Sequence, residues 1–111
     1  MNQTLQQIHD LLLAQHNALA NLLDAQTDPA KAKAILMEMQ EVLHRIDLVQ
    51  NLLFRQSSAQ LDQTLAGIKK ANDSLAQSLA SFGNLVDFVS STTKFLTAVD
   101  QAIDIAKTLA A

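Results

Sequence analysis

The chain has no Cys, Trp or Tyr, a single Pro (Pro29) and only two Gly (Gly67 and Gly83) in 111 residues. Without Cys there are no disulfides and no thiolate-bound metals, which suits a reducing, cytoplasmic setting. Without Trp and Tyr, four Phe are the only aromatics, so any core must be built from Leu, Ile, Val, Met and Ala. There is no Gly-rich phosphate loop, no G-x-S-x-G and no Cys nucleophile, and the serines have no plausibly placed His. The expectation is a protein that is not an enzyme and holds no cofactor or metal. No stretch of about 18 residues is uniformly apolar, as a membrane span requires. Residues 1–10 lack the basic and apolar regions of a signal peptide. A net charge of −3 and a single adjacent basic pair, Lys69-Lys70, argue against a nucleic-acid partner.

What is present is a 3-4 spacing of apolar residues from Leu5 to Leu109. Hydrophobic residues make up 49% of the chain, enough for a core, and the length suits one domain over residues 1–111. That spacing lines one side of an α-helix and lets helices pack lengthwise. The first seam, over about 4–26, runs Leu5, Ile8, Leu12, Gln15, Leu19, Leu22 and Gln26. Residues 1–28 carry Asp10, Asp24 and Asp28 but no Lys or Arg, so this helix is weakly charged and tolerates a neighbour. Asp28 and Pro29 then start a second helix, as cap and first helical residue. Its seam is Ile35, Met39, Val42, Ile46, Val49 and Leu53.

After Leu53 the register slips, and the next seam is Leu61, Leu65, Ile68, Asn72, Leu75, Leu79 and Phe82. Two architectures follow, both all-α, antiparallel and coiled-coil-like. In one, a stutter is absorbed and a central helix spans 29–82, giving three helices. In the other, residues 55–60 turn, with Ser57 as cap and Gln60 completing a capping box, giving four. No Gly or Pro supports the turn, which favours the continuous helix. That helix would leave apolar surface uncovered at both ends, so it also predicts a homo-oligomer. Gly83, free to adopt left-handed dihedrals, and Asn84 mark the last boundary. A final helix follows over 84–109, and no repeat at solenoid spacing is apparent.

Candidate sites are few. Glu41-Val42-Leu43-His44 has the E-x-x-H spacing of ferritin-like di-iron bundles. A metal site would also need carboxylates from facing helices, and the first helix offers only Asp10 and Asp24. Glu41 precedes Arg45 by four residues, the spacing of an exposed ion pair, and that reading is preferred. His9 and His16 read as flank residues of a helix interface. Met37, Glu41, His44, Leu48, Leu52 and Arg55 form a second stripe on the second helix, a candidate partner-binding face with Leu48 and Leu52 as anchors. The function expected is a helical protein–protein interaction module: scaffold, adaptor or inhibitor-type partner, binding another protein or its own copies. The alternative is a membrane-active protein inserting residues 82–110, an apolar, Ser/Thr-rich stretch.

Overall fold

The computed structural model describes residues 2–111 and holds four α-helices of 22 residues each. They are α1 (Gln3–Asp24), α2 (Pro29–Gln50), α3 (Ala59–Ala80) and α4 (Leu85–Ala106). Each starts on a short polar side chain that accepts a hydrogen bond from a backbone N–H of the first turn, satisfying a donor with no partner inside the helix. Asn2 accepts from Leu5 and Ser58 from Leu61, both at 3.1 Å. Asp28 accepts from Ala30 at 2.9 Å, and Asn84 from Asp87 at 2.8 Å. The caps recur 56 residues apart, Asn2 to Ser58 and Asp28 to Asn84, so the second hairpin reproduces the element lengths of the first. Few side chains repeat with them, which hides this periodicity in the sequence.

The central helix is not continuous. Turn-like bonds carry the chain a little past α2, from Leu52 N–H to Val49 O at 2.9 Å and from Arg55 N–H to Leu52 O at 3.0 Å. The backbone is then extended at Ser58, with φ −141° and ψ 162°. Local propensity differs by only tenths of a kcal/mol per residue here. Burying one Leu or Ile side chain stabilises by about 1.5–3 kcal/mol, and the break lets Leu61, Ile68 and Leu75 become fully buried. Burial outweighs propensity. Two details of the expected boundaries also change. Ser58 rather than Ser57 caps α3, while the Ser57 hydroxyl donates to Asp62. Neither glycine has positive φ, so Asn84 capping α4, not a left-handed Gly83, defines that corner.

α1 packs on α2 and α3, and α4 packs on the same two helices. Going round the bundle the order is therefore α1, α2, α4, α3, with α2 and α3 at opposite corners. Thr4 meets Asp62 and Gln15 meets Asn72, which makes α1 and α3 parallel. Arg45 meets Asp100, and ten residues on Arg55 reaches the Lys107 carbonyl just past α4, which does the same for α2 and α4. Two antiparallel hairpins thus lie face to face, joined by a diagonal connection over residues 51–58. The molecule extends 46 × 21 × 16 Å. Its core is the expected aliphatic set, Leu5, Leu12, Leu19, Ile35, Val42 and Val49 among them, with Phe88 and Phe95 as the largest members.

Candidate interaction surfaces

The stripe singled out on α2 divides between surface and core. Met37, Glu41 and His44 are exposed. Glu41 accepts from Arg45 Nη1 at 2.8 Å, the expected ion pair. Arg45 also donates from Nε to Asp100 at 2.8 Å and from Nη2 at 3.0 Å, so its guanidinium bridges α2 to α4. Burial opposes its charge, but the bonds to Asp100 and Glu41 outweigh this and raise its pKa. Leu48 is half-buried against the core, and Leu52 is only 8% exposed. Arg55 Nη1 donates to the carbonyls of Lys107 and Leu109, both at 2.8 Å. The C-terminal half of the stripe is therefore the wall against which α4 and its last turn rest.

Apart from Met37, the exposed apolar residues lie off this stripe. Leu13, Leu36 and Leu43 are 43%, 46% and 48% exposed, and Met37 is 56% exposed. Helical geometry places the three leucines together. Successive residues are rotated by roughly 100°, so Leu13 and Gln15 lie on opposite flanks of the buried Leu12. Gln15 faces α3, which puts Leu13 on the flank toward α2. On α2, Arg45 marks the flank toward α4. Leu36 and Leu43, each following a buried seam residue, fall on the other flank, toward α1. With the hairpin turning between Asp24 and Pro29, Leu13 sits level with a point between Leu36 and Leu43. His9 and His16, both half-buried, occupy the same flank of α1 one turn to either side.

This outer groove of the α1–α2 hairpin carries the three leucines, with half-buried His9 and His16 beside them. Asp10, Asp24 and Asp47 are exposed, as is Lys33 near the start of α2, and α1 supplies no basic residue. Sequence reading missed it because Leu13, Leu36 and Leu43 sit beside the seam and look like the broad shoulder of a core face. The available signal was the i, i+7 pair Leu36 and Leu43, one residue out of register with Ile35 and Val42.

Two other features stand out. At the start of α4, Leu85, Val86, Val89 and Ser90 line a shallow hollow of about 430 Å³, with Val86 77% exposed. At the opposite end, Asn2, Thr4, Phe54, Arg55, Ser57 and Asp62 are among the residues lining a polar hollow of about 490 Å³. There Asp62 accepts hydrogen bonds from the hydroxyls of Ser57 and Thr4, which hold its carboxyl below the usual aspartate range. Arg55 lies 5.5 Å over the ring of Phe54. These polar groups tie the connection to α1 and α3, and no pairing among them resembles a nucleophile with its base. Among the described residues no group of three or more His, Asp or Glu is placed to hold a metal, and no helix is long and apolar enough to cross a membrane.

The fold defines the class as an all-α four-helix bundle. Comparison of the chain with protein-family models, curated proteins and solved structures finds no match in any of the three.

Proposed function

We propose that this bundle is a non-enzymatic docking module whose outer α1–α2 groove takes an amphipathic helix of a partner protein. The observation that carries the reading is the exposed trio Leu13, Leu36 and Leu43 in a groove between two antiparallel helices. Leucines half out of water across one groove offer apolar anchors of the kind a partner helix inserts between. The Asp10, Asp24 and Asp47 carboxylates favour a partner whose apolar stripe is flanked by Lys or Arg. On α2 this groove uses Leu36 and Leu43, whereas Glu41 lies with Arg45 on the flank toward α4, and Leu48 and Leu52 pack with the core. Insertion of residues 82–110 into a membrane is the weaker reading. It would require Phe88, Phe95, Val99 and Ile103, all buried, to leave the core.

The test uses helical peptides displayed on phage, selected on the purified chain and measured by titration. Selected peptides should carry basic residues beside an apolar stripe and should shift the amide resonances of Leu13, Leu36 and Leu43. The double variant Leu36→Asp/Leu43→Asp should lose binding by at least tenfold with an unchanged circular dichroism spectrum. Binding that survives this substitution, or that maps to the Val86 hollow, would refute the assignment.

A further inference from the structure

The connection between the hairpins combines three properties. Residues 51–58 contain neither Gly nor Pro, and their first half already follows helical turns, with Asn51 at φ −73° and ψ −11°. To fuse α2 with α3, the non-helical stretch ending in the extended Ser58 must become helical. The same region holds two side-chain nitrogens with no hydrogen-bond partner in the protein, Asn2 Nδ2 and Arg55 Nε, which line the polar hollow beside the connection. Finally, the side-chain pairs between the helices of the two hairpins, Thr4 with Asp62, Gln15 with Asn72 and Arg45 with Asp100, can be supplied unchanged by a second copy, whereas the bonds of Arg55 and Gln56 to the Lys107, Leu109 and Ala110 carbonyls belong to the closed connection.

We propose that the chain exchanges hairpins with a second copy of itself, residues 51–58 becoming helical so that α2 and α3 form one helix over 29–80. Each half of the dimer is then one bundle, built from the α1–α2 hairpin of one copy and the α3–α4 hairpin of the other. The diagonal placement of α2 and α3 suits this. Two straight, antiparallel long helices occupy opposite corners throughout, and α1 and α4 fill the remaining corners of each half. Eight helical residues separate the halves by about 12 Å, which leaves room for Asn2 and residues 107–111 at the junction. Exchange of identical elements needs no new interface and becomes favourable as protein concentration rises. It uses the face between the hairpins, not the outer groove, so Leu36→Asp/Leu43→Asp leaves it intact.

Ala59 offers a selective block. It is the first residue of α3, following an extended Ser58, and these are the conformations that proline and its predecessor accept. In a continuous helix the same proline removes a bond and clashes with the preceding turn. Ala59→Pro should therefore fold as a monomer and form no dimer. Ser57→Ala/Ser58→Ala, which removes the cap and raises helix propensity, should increase the dimer fraction several-fold.

The decisive reading is a distance within one chain. Spin labels on Lys33→Cys and Gln77→Cys both sit at the end of the bundle away from the connection, within its 21 × 16 Å cross-section. In the exchanged form they lie about 66 Å apart along the fused helix. Doubly labelled chain, refolded at millimolar concentration with excess unlabelled chain, should show a dimer by light scattering and the long distance in it. A dimer that keeps the short distance, no dimer at millimolar concentration, or a dimer undiminished by Ala59→Pro would each overturn the proposal.

Discussion

Glu38 is the side chain that works against the fold near neutral pH. It lies partly buried on α2, and that burial raises its carboxyl above the usual glutamate value of 4.5. The Glu41 carboxylate adds to the rise, and Arg45 opposes it. A carboxyl that ionises less readily in the folded chain than in the unfolded one makes the fold less stable once pH exceeds the unfolded value. The deficit disappears below that value, where both states are protonated. Glu38→Gln should therefore raise Tm near neutral pH and leave it unchanged below about pH 4, by thermal melts across the range. Gln15 shows a second compromise of this kind. It is 4% exposed, donates to Asn72 Oδ1 at 2.6 Å, and leaves its own Oε1 without a partner. A leucine would pack more readily there, but the amide fixes the level at which α1 meets α3, as buried polar residues set register elsewhere.

At the level of elements, the caps were the most legible feature of the chain. Asp28-Pro29 and Asn84 announce α2 and α4 because capping chemistry is local and confined to a few side chains. The break after α2 was not legible, because no residue from 51 to 58 forbids a helix. It arises from the gain of burying the seam of α3 against α1, a contact between residues more than fifty positions apart. The surroundings of the stripe on α2 were hidden for the same reason. Periodicity shows that Leu48 and Leu52 face a neighbour, but not that the neighbour is α4 of the same chain. Leu52→Asp separates the two meanings. It should cost at least about 3 kcal/mol, since it places a charge among core residues, and should broaden or abolish the unfolding transition. A well-folded variant with altered binding would return Leu52 to the docking face.

In the whole molecule, closure of the core and the surface left available go together. Two equal hairpins complete one core between them, so the seams of a single chain are covered without a second one. What remains exposed is then informative. The outer α1–α2 groove keeps three leucines in water that the bundle had no need to bury, and the 51–58 connection keeps enough helical character to open. The central claim is that a single chain closes on itself through that connection. Small-angle X-ray scattering from a dilute, micromolar solution tests it most directly. The account predicts a monomeric mass and a compact rod near the 46 × 21 × 16 Å extents, with a radius of gyration close to the Cα value of 14.3 Å allowing for hydration. A particle on the order of 80 Å long, the length of an unbroken helix over 29–82 at 1.5 Å per residue, would contradict it.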